Sequence, residues 1–259
     1  MTVKPFIIFV SAICLSILFS LAFVPNASAD QPIVLSTSFG MPYVSEGDKD
    51  GFLTLLAEDI FKRIGLEVQI EILPAERSIM NANNGIEDGE LNRVSGLEKI
   101  YPNLIMVPEP FISVDFVGFT KPRNHIPLAN RNRSTPDVSW RSLEPYIVGI
   151  IRGWKIYEKN VTGVAKRIDV RNINLLLTLL KNNRVDIVMA TRVTGLYNSH
   201  KNDIAVSVIE PPFVTRNNYM YLNKRHAHLV PKLAAALAEA KKDGTYDRLY
   251  NRILRPLIN

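Results

Sequence analysis

The chain has 259 residues, 47% of them hydrophobic, enough for a well-cored globular protein of one or two domains. Its net charge of +6 is modest, and the basic residues are interleaved with acids rather than gathered into the basic-aromatic stripe of a nucleic-acid binder, so no nucleic-acid partner is expected. The one cysteine, Cys14, lies in an N-terminal apolar run, which excludes disulfides, thiolate nucleophiles and cysteine-based zinc sites from the chain beyond it.

The first 29 residues differ in kind from the rest. Lys4 precedes the apolar run 6–24, and Ala27-Ser28-Ala29 has the small-residue pattern of a secretory cleavage site. This predicts a signal peptide cut after Ala29 and a periplasmic mature protein. The run is also long enough for an uncleaved membrane anchor, which is the rival expectation. Ile13 stands before Cys14 where lipidation wants a small residue.

Residues 33–36 are β-prone and run into Thr37-Ser38-Phe39-Gly40-Met41-Pro42-Tyr43, a Gly- and Pro-marked loop at a strand's C-terminal end. That is the ligand side of an open α/β sheet. Tyr43 is a candidate to stack on a ligand, the alternative being a partly buried loop aromatic. In residues 51–64, Leu53, Leu56, Ala57, Ile60, Phe61 and Ile64 share one helical face, with Gly65 as the stop. Leu66, Val68, Ile70 and Ile72 then alternate with Glu67, Gln69 and Glu71, giving a half-buried strand that ends at Pro74. Strand, loop, helix, strand is a βαβ unit and predicts a parallel sheet.

Residues 74–111 concentrate the polar groups most suited to meeting a ligand. A short helix stops at Asn83-Asn84-Gly85, where a left-handed conformation is tolerated, and an acidic strand carrying Glu87, Asp88 and Glu90 leads to Arg93. Arg77, in the helix's first turn, and Arg93 are candidates to hold a carboxylate by forked hydrogen bonds, and Glu90 to accept from an amine or hydroxyl. For each of them alone, a surface ion pair is the plainer alternative. Their crowding around loops is what favours a site.

Residues 111–121 are β-rich and enter a Pro-, Arg- and Asn-rich stretch, 122–136, whose composition marks a domain boundary. Residues 146–151 form an apolar strand followed by Arg152-Gly153-Trp154-Lys155. A glycine at a helix start can offer amides to an anion, with Arg152 and Trp154 as the side chains that strengthen the case. An apolar helix over 172–180 stops at Asn182-Asn183, and a buried strand over 185–190 exits at Thr191-Arg192. This echoes the helix, Asn-Asn stop, strand and polar exit of residues 74–93. Two similar α/β units point to two lobes with a ligand between them. An apolar pulse at 204–208, Pro211-Pro212-Phe213 and a strand at 219–222 follow. Leu229, Leu233, Leu237 and Ala240 line a helix that starts near Pro231 and stops at Gly244, and Thr245 is placed to cap a last helix with the stripe Tyr246, Leu249, Tyr250 and Ile253.

No G-x-S-x-G, P-loop, G-x-G-x-x-G or H-E-x-x-H pattern occurs, and His226-Ala-His228 reads as part of a solvated loop. The expectation is a protein that is not an enzyme, with no catalytic residue, metal or cofactor assigned.

Several of these motifs resemble the extracellular solute-binding proteins of family 3. Gly51-Phe52 through Gly65-Leu66-Glu67-Val68 is similar to that family's first helix and second strand. Residues 146–153 resemble the strand and glycine loop opening its second lobe, and residues 182–190 its "G-x-V-D-A" strand. Lys241-Lys242-Asp243-Gly244-Thr245-Tyr246 resembles its C-terminal "K-x-D-G-T" signature, the most specific of the set. The resemblance implies an α/β type II periplasmic-binding fold, with two lobes joined by a two-stranded hinge. Lobe one would comprise residues 30–120 plus 217–259, and lobe two residues 121–216. It further implies a monomer that closes over a small-molecule solute and passes it to the membrane subunits of an ABC transporter, or serves as the input of a sensor partner. A periplasmic dehydratase-like enzyme on the same scaffold is the remaining alternative. The chain departs from the amino-acid binders of the family at three points. It lacks their Thr-x-x-Arg, for which Arg93 would stand in, it has Thr191 where they place an Asp, and Thr54 stands for the Asp of their first helix motif. The implied ligand-binding set is Tyr43, Arg77, Glu90, Arg93, Arg152, Trp154 and Thr191, for an anionic or zwitterionic solute.

Overall fold

The computed structural model describes residues 31–122 and 138–258. The signal-peptide and cleavage expectations, and the boundary stretch from residue 123 onward, lie outside the described residues. In chain order the elements are β1 (Ile33–Thr37), α1 (Phe52–Arg63), β2 (Val68–Ile72), α2 (Ala75–Asn84), β3 (Gly89–Val94), β4 (Leu104–Met106) and β5 (Ile112–Thr120). They continue with β6 (Ile147–Ile151), α3 (Lys155–Asn160), β7 (Lys166–Val170), α4 (Ile173–Lys181), β8 (Ile187–Thr191), α5 (Arg192–Lys201), β9 (Ser207–Asn223), α6 (Val230–Lys242) and α7 (Thr245–Ile253).

The local rules explain most of these boundaries. The apolar stripe of α1 is buried at Leu53, Leu56, Ala57, Ile60 and Phe61, and the helix packs on α6 and α7. Gly85 ends α2 at φ 74°, a conformation that costs glycine least, and the Ile86 amide closes the turn on the Asn81 carbonyl at 2.9 Å. Asn182 and Asn183 end α4 in the same way, Asn183 at φ 55°. Glu87 and Asp88 precede β3 rather than lying in it; the strand opens at Gly89.

The strands form one sheet in the order β2-β1-β3-β9-β5-β8-β6-β7, with β4 also on β9. The pairs β1/β2 and β1/β3 are parallel, as are β6/β7 and β6/β8, while every pairing of β5 and β9 is antiparallel. Two parallel halves therefore meet on two long strands. One end of β5 pairs with β9 from Ile112↔Asn218 to Phe116↔Val214, and the other from Gly118↔Ile209 to Thr120↔Ser207. The far end of β9 continues onto β3, at Gly89↔Leu222. These two strands are the connection between the two lobes.

Two further sequence expectations need correction. The pulse at 204–208 and the strand at 219–222 are not separate: β9 runs unbroken from Ser207 to Asn223. Pro211 and Pro212 fit because the β5/β9 register breaks between Phe116 and Gly118, so no ladder amide is required of them there. Thr245 does not cap α7. Gly244 holds that position at φ 79° and turns Asp243 onto the first helical amide, Thr245 N–H to Asp243 Oδ1 at 2.9 Å. Among the described residues, no helix is long and apolar enough to cross a membrane.

Candidate ligand-binding cleft

The C-terminal ends of β1 and β3 and the start of α2 face the β6–α3 turn across a cleft. The β1 loop places Phe39 against Trp154 of that turn, with centroids 5.3 Å apart and rings 23° from parallel. Trp154 stacks in turn on Tyr157 at 5.9 Å, and Tyr43 meets Phe39 edge-on at 5.2 Å. An aromatic column thus crosses between the lobes. Both ends of the column are buried, Tyr43 at 1% exposed and Tyr157 at 0%. Burial pushes the Tyr43 phenol well above the ordinary tyrosine value. The loop aromatic is core, because the turn at Gly40 folds it back over α1: the Tyr43 amide donates to the Gly40 carbonyl at 3.0 Å and its carbonyl accepts from Leu53 at 2.7 Å.

Arg93 leaves the end of β3 and is 7% exposed. Its Nε donates to Glu90 Oε1 at 2.9 Å, its Nη2 to the Ala75 carbonyl at 2.6 Å and its Nη1 to the Gly153 carbonyl at 3.4 Å. Ala75 opens α2 and Gly153 sits in the β6–α3 turn, so one guanidinium touches backbone from both sides of the cleft. Glu90 is wholly buried behind it. Desolvation raises its carboxyl above the ordinary glutamate range, against the opposing pull of Arg93 and of the Ser78 hydroxyl, which donates to Oε2. Both Glu90 oxygens are engaged, Oε1 by Arg93 and Oε2 by Ser78.

Gly153 shows how closely the two sides approach. At φ 84°, a Cβ on it would lie 2.7 Å from the Glu76 amide nitrogen and 2.8 Å from the Ala75 Cβ. Its own amide donates to Glu158 Oε1 at 2.7 Å, so the anion-binding amide expected from the sequence is taken by the chain's own carboxylate. Lys155 spans the same gap, to Glu76 at 2.6 Å and Glu158 at 3.1 Å.

Phe39 and Trp154 wall two cavities. The larger, of about 390 Å³, adds Ser38, Ala75, Arg171, Asn172 and Tyr197, among others. It falls within the size range of small-ligand pockets. The smaller, of about 30 Å³, adds Asn92, Arg93, Phe116, Lys155 and Asn218 and has room for a water or two. Asn92 and Asn218 are 0% and 2% exposed, and Asn92 Oδ1, Asn92 Nδ2 and Asn218 Oδ1 have no hydrogen-bond partner.

Of the residues singled out by sequence, Arg93 and Trp154 come together at the cleft. Tyr43, Glu90 and Thr191 are buried beside it and line neither cavity, Thr191 being bonded to Thr194 Oγ1 at 2.8 Å. Arg77 and Arg152 are exposed and line neither. Phe39, Asn92 and Asn218 were missed. The signal for the two asparagines is their place inside β3 and β9, since asparagine is depleted in strands.

No family model matches the chain. A protein from Shewanella oneidensis described as uncharacterised is 24% identical over 194 residues, 72% of this chain and 69% of that one. Among solved structures, an ancestral arginine-binding protein bound to arginine superposes with a TM-score of 0.68 at 23% identity, over 86% of this chain and 97% of that one. The GluR0 ligand-binding core with L-glutamate gives 0.73 at 14% identity, over 86% and 98%. A histidine kinase sensor domain with similarity to periplasmic binding proteins gives 0.68 at 17% identity, over 86% and 96%. The fold is thus the two-lobed fold of the family 3 type of solute-binding proteins.

Proposed function

We propose that the protein is a periplasmic solute-binding protein that captures a small polar solute, anionic or zwitterionic, between its lobes and delivers it to an ABC importer. Lobe one would comprise residues 30–120 and 217–259, and lobe two residues 121–216. The observation that carries the proposal is Arg93, whose guanidinium reaches the Ala75 and Gly153 carbonyls on opposite sides of one cleft. Those Nη donors are the ones an incoming carboxylate would take in forked geometry. The Phe39–Trp154 pair supplies apolar walls. Glu90, held by Arg93 and Ser78, keeps the guanidinium oriented. Closure around the solute follows from contacts made only when the two sides meet.

A sensor role is the second reading, favoured by the likeness to a kinase sensor domain. An enzyme on this scaffold would need an acid–base pair in the cleft, and Glu90, the carboxylate nearest to that task, lines neither cavity.

The test is a thermal-shift screen of the purified protein against amino acids, amines, organic acids and short peptides. A solute at a hundredfold over its Kd adds about 2.7 kcal/mol of stability and raises Tm visibly. A flat response across the screen contradicts solute capture.

A further inference from the structure

Resting on that reading, we infer that the solute is a small dicarboxylate without an ammonium group, and that Arg171 takes its second carboxylate in the larger chamber. The acids around the cleft are already committed. Glu90 is held by Arg93, Glu76 and Glu158 share Lys155, and Glu46, the one carboxylate lining the larger chamber, lies 3.6 Å from Lys201. Arg171 lines that chamber too, exposed in the short loop between β7 and α4. Its guanidinium has no hydrogen-bond or ion-pair partner among the described residues. The chamber therefore offers one uncommitted charge, and it is positive. A guanidinium in that position pairs with a carboxylate by forked hydrogen bonds.

An ammonium finds no matching place. It would have to take Glu46 from Lys201 or go without a carboxylate, and it would enter beside Arg171. The neutral acceptors of the chamber are engaged as well: Asn172 Oδ1 receives the Leu175 amide at 3.0 Å, and Asn174 Oδ1 the Asn202 side chain at 3.1 Å. The first carboxylate has its place at Arg93, whose Nη2 holds the Ala75 carbonyl at 2.6 Å, and Ala75 lines the larger chamber. A guest that takes over that donor sits against the chamber's wall, and a volume of about 390 Å³ leaves room for a diacid of modest length.

The deciding experiment is calorimetry on the purified protein with succinate and glutarate. Each is set against the amino acid it becomes on gaining an ammonium, L-aspartate or L-glutamate, and against the monoacid left when one carboxylate becomes a methyl, butyrate or valerate. The expected result is that the better diacid binds about tenfold or more tightly than either counterpart, and that Arg171→Gln shrinks its lead over the monoacid to a few-fold. Arg171 is exposed, so the variant is expected to fold, and the preference of the unaltered protein needs no variant at all. An amino acid or a monoacid bound as tightly as its diacid, or a diacid lead that Arg171→Gln leaves intact, overturns the inference while solute capture stands. Absence of binding by all of these solutes also overturns it, and solute capture is then decided separately by the wider screen.

Discussion

Arg93 and Glu90 are buried together three positions apart on β3, and what each does depends on the other. Arg93→Ala would leave the Glu90 carboxyl buried without its cation, a loss of about 3–5 kcal/mol at neutral pH by urea denaturation. Solute affinity would fall roughly ten- to a hundredfold as a charge-assisted bond is lost. Arg93→Met with Glu90→Gln should recover most of the stability and none of the affinity. The pH dependence has a definite sign. Burial raises the Glu90 carboxyl above its unfolded value, so its favourable contribution is present below the unfolded value and lost as pH rises through the raised one. Without Arg93 opposing that shift, the deficit of Arg93→Ala should be larger at about pH 8 than at about pH 5. A deficit independent of pH would contradict this account. Residue identity carried part of this into the sequence: arginine after an acidic strand end is a visible signal. What it could not carry is direction. Arg93 is fixed by carbonyls 18 and 60 positions away, whereas Arg77 and Arg152, equally promising by type, point outward.

Helix stripes, left-handed stops and alternating strands are local properties, and they were legible from the sequence as α1, β2 and the two Asn-Asn turns. The joining of β9 was not, because its continuity rests on the partner strand β5, roughly a hundred positions away. The α6–α7 turn shows the same limit at short range. Thr245 is a fair capping residue by type, yet the left-handed Gly244 gives that task to Asp243, which also binds Arg63 of α1 at 2.8 Å. The Thr245 amide and Arg63 hold the Asp243 carboxyl down at about 2, against an ordinary value of 3.8. A depressed carboxyl contributes stability above its unfolded value and loses it as pH falls through the folded one. The Tm gap between the protein and Asp243→Asn should therefore be full above pH 3.8 and close as pH falls towards about 2. A gap unchanged through that window would remove Asp243 as the capping group.

At the scale of the whole molecule, two parallel half-sheets share β5 and β9, and the cleft lies where their loops meet. The repeated helix-stop-strand pattern made two units legible; which loops face each other follows from the sheet order, which no local pattern contains. The close approach at Gly153 gives a direct handle. Gly153→Val would set a side chain against Ala75 and the Glu76 amide in a backbone conformation that favours glycine. The variant should show a larger radius of gyration by small-angle scattering, and weaker solute binding, than the unaltered protein. Equal values for both would show that the approach of the two sides is not required for capture.

In the proposed function the solute binds in the cleft walled by Phe39 and Trp154. The chain has two tryptophans; Trp140 packs on Phe213 at 5.0 Å and meets the far end of the aromatic column at Tyr157, 6.1 Å away. In Trp140→Phe, Trp154 becomes the sole tryptophan reporter, placed in the wall of the cleft. Titrating this variant with the strongest solute from the thermal screen should give a saturable change in Trp154 emission, with a midpoint equal to the calorimetric Kd. Calorimetric binding with Trp154 emission unchanged would place the solute elsewhere and contradict the account.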